Sequence, residues 1–147
     1  MSYLKSVLVL AVFGLLCGAP HMASAKSLPQ DNPIVMTSPE VVDDVSGKEV
    51  EEKYYRFTAG PGTVTMTVDM KTDSGTMIDF DVYILDGKWK TLAKVMDVLG
   101  NSATKRAVKQ IKLKKQQSLI LKIVTKPSWG SGSYQVRLEG AVKLPKE

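Results

Sequence analysis

Cysteine and histidine, which between them carry most nucleophilic and acid–base catalysis, occur once each in this chain, as Cys17 and His21. Both stand in an N-terminal stretch that is expected to be removed. Lys5 precedes an apolar run from Val7 to Leu16 that only Gly14 interrupts, and Ala23-Ser24-Ala25 supplies the small-x-small pattern of a signal peptidase site. Residues 1–25 therefore read as a signal peptide, with Lys26 as the first mature residue. A lipoprotein alternative, in which Cys17 becomes the lipidated N-terminus, wants a small residue before the cysteine, and Leu16 is there instead. The apolar run is about half the roughly 20 residues a helix needs to span a bilayer, so no transmembrane segment is expected. Export to the periplasm or beyond follows. A mature chain without Cys or His excludes a Ser-His-Asp triad, a Cys-His pair, a Cys/His zinc site and disulfide staples. Gly-rich phosphate loops are absent as well. The chain is therefore expected not to be an enzyme.

Carboxylates and aromatic rings are what remain to do chemistry. Asp79 and Asp81 stand two apart; on a strand they share a face about 6.5–7 Å apart. That separation overlaps the carboxylate pair of inverting glycosidases, but such pairs flank a cleft, and neighbours on one strand face the same solvent. Calcium is the better chemical use of Asp79 and Asp81, since a hard cation gathers several oxygens and Asp73 or Asp86 could add to them. No EF-hand-like loop accompanies them. The plainest use is a hydrogen bond from neighbouring backbone to Asp81 that sets a hairpin. Trp129, between Ser128 and Gly130 in a loop, offers a ring for a sugar or a protein partner, and equally for packing. Trp89 follows a turn and is read as a cap on a sheet edge. With the outward Tyr83, these two tryptophans are the candidate ligand-binding residues.

Strands must position all of these side chains. Val64, Met66, Val68 and Met70 alternate with Thr63, Thr65, Thr67 and Asp69, the period-two pattern of a strand with one buried and one solvated face. Tyr54–Ala59 reads as another strand, and Pro61-Gly62 as a turn joining the two into a hairpin. Ile78, Phe80, Val82 and Ile84 face inward opposite Asp79, Asp81 and Tyr83. Asp86-Gly87 then supplies a tight turn, after which Trp89 begins the returning strand. Leu119, Leu121 and Ile123 form another inward row, and so do Tyr134, Val136 and Leu138. Leu92, Val95, Met96 and Leu99 stand at helical spacing, yet strands flank them on both sides, so residues 92–99 are assigned to strand followed by loop. Residues 26–48, with Pro29, Pro33 and Pro39, read as an extended lead-in holding one short strand at Ile34–Thr37. Residues 49–147 are the domain proper. Seven or eight short strands separated by turns predict an all-β, antiparallel, jelly-roll-like sandwich.

The sequence Tyr55-Arg56-Phe57, then Ala59-Gly60, the Thr-rich strand, Asp79-Phe80-Asp81-Val82-Tyr83-Ile84 and Gly130-Ser131-Gly132-Ser133-Tyr134-Gln135-Val136 resembles the bacterial pre-peptidase C-terminal domain. The resemblance covers roughly residues 50–140. It implies a jelly-roll sandwich of a kind usually appended to secreted proteases, some relatives of which bind calcium. This chain carries no peptidase domain beside it, which separates it from that context.

Charge is distributed unevenly along a chain of net charge +5. Residues 26–86 hold five basic and twelve acidic side chains, and residues 87–147 hold fourteen basic and three acidic. Such asymmetry either marks an anionic partner or sets complementary strands side by side in an interleaved sandwich. Lys105, Arg106, Lys109, Lys112, Lys114 and Lys115 concentrate the positive charge. They have no interleaved aromatic residues for stacking bases, so nucleic acid is not the expected partner. A lysine-rich strand edge that resists aggregation is the plain reading, and an anionic polysaccharide or envelope lipid the sharper one. Together these features predict an exported, non-catalytic module that binds a glycan or an envelope protein, or else a structural subunit of an exported assembly.

Overall fold

The computed structural model describes residues 29–146; the signal peptide, Cys17 and His21 lie outside the described residues. After one turn of 3-10 helix at Pro29–Asp31, eight strands follow: β1 Ile34–Val35, β2 Glu40–Ser46, β3 Glu51–Thr72, β4 Met77–Asp86, β5 Thr91–Leu99, β6 Thr104–Leu113, β7 Gln117–Trp129 and β8 Ser131–Lys143. All pairings are antiparallel except that of the two-residue β1 with β3. The lead-in thus supplies two strands where one was expected, and β2 pairs with β8 along its whole length.

β3 organises the fold. Its first arm, residues 51–59, pairs with β7, and its second, residues 62–72, pairs with β6 and β8. The expected hairpin between these arms does not form. They continue one another through Gly60-Pro61-Gly62, with a cis Gly60–Pro61 peptide and a register shift against β8 between Ala59 and Val64. Gly60 has φ of 88°, and a Cβ there would sit 2.5 Å from the carbonyl oxygen of Lys115, so only glycine fits the bend. Local turn chemistry at this point redirects the strand from one layer to the other rather than folding it back.

Two layers result. The first runs β5-β4-β7-β3 (first arm), with β1 on the far edge; the second runs β2-β8-β3 (second arm)-β6. With the arms of β3 counted as separate strands from β2 onward, the layers read 2-7-4-5 and 1-8-3-6, the order of a jelly roll with two strands fused across the fold. The inward rows meet between the layers. Val64, Met66, Val68 and Met70 lie against Ile78, Phe80, Val82, Ile84, Leu119, Leu121 and Ile123, all essentially inaccessible. Phe80 of β4 meets Tyr134 of β8 edge-to-face, with centroids 6.4 Å apart, within the range such pairs favour. Residues 91–99 are strand throughout, where strand followed by loop was expected: Val95 and Leu99 join the core while Met96 and Val98 stay exposed.

The β4–β5 connection differs from the expected tight Asp86-Gly87 turn. Trp89 N–H donates to the Asp86 carbonyl and Asp86 N–H to that of Lys90, each at 2.9 Å, closing a three-residue loop over Gly87–Trp89. The returning strand begins at Thr91 rather than Trp89, and Trp89 takes the left-handed position of the loop with φ of 65°. Such loops normally place glycine there.

Candidate ligand-binding site

Strand alternation gives the first layer an outer face, and register fixes which residues on it are neighbours. Tyr54 of β3 stands opposite Lys122 of β7, and Lys122 opposite Tyr83 of β4, which is in turn opposite Lys94 of β5. One row therefore alternates ring, cation, ring, cation across four strands. The next row begins Arg56, Ile120, Leu85. Tyr54, Leu85 and Ile120 pack as a small apolar cluster outside the main core, with Tyr83 against it. All three are buried, Tyr54 to 4% exposure, so the cluster is a small second core beneath the outer face.

The β4–β5 loop leans over this face. Trp89 meets Tyr54 edge-to-face, with centroids 5.7 Å apart and planes at 72°. The Lys122 ammonium lies 5.4 Å from the Tyr54 ring centre and 5.9 Å from that of Tyr83, within cation–π range of both. Tyr54 also donates its hydroxyl to Glu52 at 2.7 Å. Burial and that bond push the phenol well above its ordinary range, so it stays protonated. Asp86 secures the loop from below. One of its carboxylate oxygens accepts the backbone N–H of Lys88 at 2.8 Å and of Lys90 at 2.9 Å, which holds the carboxyl below its ordinary pKa. Tyr54, Tyr83, Leu85, Trp89, Thr91 and Lys122 line a shallow groove of about 390 Å³, with Gln30 at its rim.

Two of the three residues expected to bind ligand, Trp89 and Tyr83, are thus brought together. Trp129 is not with them. It pairs in register with Met77, six residues along β4 from Tyr83, or about 20 Å at strand rise. Trp129 is 49% exposed at the corner where the chain passes from β7 to β8, and among the described residues it makes no ring contact. Tyr54 is the residue that sequence reasoning missed. Tyr54-Tyr55 puts one ring on each face of β3, so an outward tyrosine was legible there, but its nearness to Trp89 depends on pairing across four strands.

Asp81 is buried on the same outer face, and its carboxylate accepts from the Lys126 ammonium at 2.9 Å. The backbone hydrogen bonds that set the hairpin go to Asp86 instead. Asp79 stands opposite Lys126 in register. Among the described residues no three His, Cys, Asp or Glu side chains gather as a metal site would, and these residues contain no Cys or His at all.

The site is therefore an aromatic platform on the outer sheet of a jelly-roll sandwich. No family model matches the chain, and no curated protein matches it in sequence; the resemblance to the pre-peptidase C-terminal domain rests on the short motifs quoted above, and what stands of it is the β-sandwich. Among solved structures the chain is similar to the CBM22-1 xylan-binding domain from Paenibacillus barcinonensis, at a TM-score of 0.31 and 14% identity over 58% of each chain. It is also similar to the enzymatically active domain of tailspike protein 4 of bacteriophage CBA120, at a TM-score of 0.37 and 10% identity over 74% of this chain and 20% of that one. A chain in the structure of infectious bursal disease virus, Gt strain, gives a TM-score of 0.31 and 13% identity over 67% of this chain and 32% of that one. The match spans less than two thirds of each of these three chains.

Proposed function

We propose that the protein is an exported, non-catalytic binding module that takes a glycan on the rings of Trp89 and Tyr83, which are set by the buried Tyr54 beneath them. The observation that carries this reading is the conformation of Trp89. It is a bulky aromatic residue held at positive φ in an exposed loop, where glycine would fit without strain, and it remains 46% exposed. The left-handed conformation costs an L-residue roughly 1–2 kcal/mol, and such strain persists where the residue has work that a relaxed one would not do. A ring presented edge-on to Tyr54, with a second ring and a lysine beside it, offers apolar faces for the C–H face of a pyranose and polar groups for its hydroxyls. Export is supported by the signal peptide pattern of residues 1–25, and a non-catalytic role by the lack of Cys and His in the remainder. Calcium is not part of it: the cation needs six to eight oxygens, whereas Asp81 is already committed to Lys126.

A glycan array probed with the wild type, Trp89→Gly and Trp129→Ala tests the proposal. Signal is expected from the wild type and Trp129→Ala, and not from Trp89→Gly. Equal signals from all three, or none from the wild type, would remove the platform from consideration. N-terminal sequencing of the exported protein is expected to begin at Lys26.

A structural-subunit reading has one observation in its favour. Met96 and Val98 on the open edge strand β5, and Val108 on the open edge strand β6, are all more than half exposed. Sedimentation decides it, with a salt-independent monomer counting against assembly.

A further inference from the structure

We infer that the glycan is polyanionic, a chain of carboxylated or sulfated sugars laid across the strands. The inference rests on the platform reading above and goes further by naming the class of ligand. A second shallow groove, of about 770 Å³, adjoins the first, and Tyr83 and Thr91 line both. Its other walls include Met96 and Lys94 from β5, with Lys109 and Gln110 reaching in from β6 of the second layer. The combined trough is lined by three lysines, Lys94, Lys109 and Lys122, and by no carboxylate.

The acidic groups around the trough are already engaged. Glu52 accepts the Tyr54 hydroxyl and lies 3.7 Å from Lys122; Asp81 pairs with Lys126, Asp97 with Lys105, and Asp86 with two backbone amides. Lys94 and Lys109 enter no ion pair among the described residues. Every other prominent cation on β6 and β8 that faces a carboxylate has taken it: Lys105 with Asp97, Arg106 with Asp69, Arg137 with Glu40. Other lysines, such as Lys71 and Lys112, also lack an ion pair among the described residues; Lys94 and Lys109 differ in lining the groove that continues to Tyr83 and Trp89.

Tyr54 is only 4% exposed and floors the row, so the accessible groups are Trp89 above it and then Lys122, Tyr83 and Lys94, which follow one another at the strand spacing of about 4.8 Å. That step is comparable with the advance per sugar of an extended polysaccharide. A chain whose residues each offer an apolar ring face and an anionic substituent meets this row with both. A neutral glycan would use only the rings, and a lipid surface would use only the lysines, since a concave trough does not reach a planar array of headgroups with its aromatic floor.

Calorimetric titration at low salt tests this with polygalacturonate, its fully methyl-esterified form, dextran sulfate, dextran, and phosphatidylglycerol vesicles. Polygalacturonate or dextran sulfate is expected to bind at least about tenfold tighter than its neutral counterpart, and whichever binds identifies carboxylate or sulfate as the anion. A Lys94→Gln, Lys109→Gln double variant is expected to lose about fivefold to tenfold on the acidic polymer, at a few-fold per exposed charge pair, with a shallower salt dependence. Trp89→Gly is expected to lose binding to every polymer. Equal affinity for charged and neutral forms, unchanged in the double variant but lost in Trp89→Gly, would overturn the polyanion and leave the platform standing. Binding to vesicles alone, insensitive to Trp89→Gly, would overturn both, and so would a failure of all five probes.

Discussion

The two layers of the sandwich share one core and carry opposite outer faces. On the second layer Thr63, Thr65 and Thr67 line the centre, with Arg106 matched to Asp69, Arg137 and Gln135 to Glu40 and Gln110 to Thr65, and with Lys71 and Lys112 in no ion pair among the described residues. On the first layer the corresponding positions hold Tyr54, Tyr83, Leu85 and Ile120, with Trp89 folded over them; Lys122 and Lys126 there have carboxylate partners and Lys94 has none among the described residues. The second face therefore offers charge without an aromatic ring beside it. The first face offers exposed Trp89 and half-buried Tyr83 with Lys94 beside them. The same strand makes both, since β3 gives its first arm to the aromatic face and its second to the threonine face.

The largest effect is expected where the two faces depend on one residue. Gly60→Ala puts a Cβ against the Lys115 carbonyl at a φ that disfavours alanine. The combined cost is at least about 2 kcal/mol, or about 8 °C in Tm for a domain of this size. Thermal melting followed by circular dichroism checks it. A change below about 2 °C would mean that the bend is not held as described and that the faces can be separated without it.

Trp89→Gly sharpens the contrast in the other direction. Glycine relieves the left-handed strain, roughly 1–2 kcal/mol, and gives up the edge contact with Tyr54, about 0.5–1.5 kcal/mol. These nearly cancel, so Tm is expected to move by less than about 4 °C while glycan affinity falls about thirtyfold, as for a central aromatic contact. Thr65→Ala on the opposite face is expected to leave affinity unchanged. Titrations of both variants against the glycan selected on the array provide the comparison.

Much of this was legible from alternation alone. The inward rows of β4, β7 and β8 follow the period-two pattern, because burying one face of a strand fixes the parity of every residue on it. The bend of β3 was not legible. Gly60-Pro61-Gly62 has the composition of a hairpin turn, and whether a chain turns back or crosses to the other layer is decided by its partners, here β6, β7 and β8, tens of residues further along the chain. The site was half legible for the same reason. Trp89 and Tyr83 lie close in sequence, whereas Tyr54 joins them only through the order β4-β7-β3. The basic stripe divided in a way no local pattern could show, with Arg106 and Lys105 taken by Asp69 and Asp97 and Lys109 left on the groove. The acidic and basic halves of the sequence meet in Arg106–Asp69, Lys122–Glu52, Lys126–Asp81 and Arg137–Glu40, so much of the asymmetry is spent inside the fold.

Asp86 gives a smaller, pH-dependent effect confined to the aromatic side. Backbone amides hold its carboxyl below the ordinary value, so its contribution is present above about pH 4 and is lost as pH falls through the depressed folded value. Asp86→Ala is expected to lower Tm by a few degrees at neutral pH and to converge with the wild type in strong acid. Parallel curves down to pH 2 would show that the carboxylate does not secure the Trp89 loop.

The smallest effect belongs to the Arg106–Asp69 pair, and it tests whether the threonine face is the inert one. The two side chains meet through two hydrogen bonds, of 2.6 and 3.1 Å, on an exposed face, and solvent screening leaves little net stabilisation in such a pair. Asp69→Asn removes one charge and keeps an acceptor for the guanidinium, so Tm is expected to stay within the error of measurement. It also frees Arg106 to attract anions on the second layer. If charge anywhere on the sandwich recruited the glycan, this variant would bind a polyanion more tightly and Trp89→Gly would not abolish the gain. Unchanged affinity, with all binding still lost on Trp89→Gly, would mean that a lysine matters only beside the rings, which is the difference between the two faces.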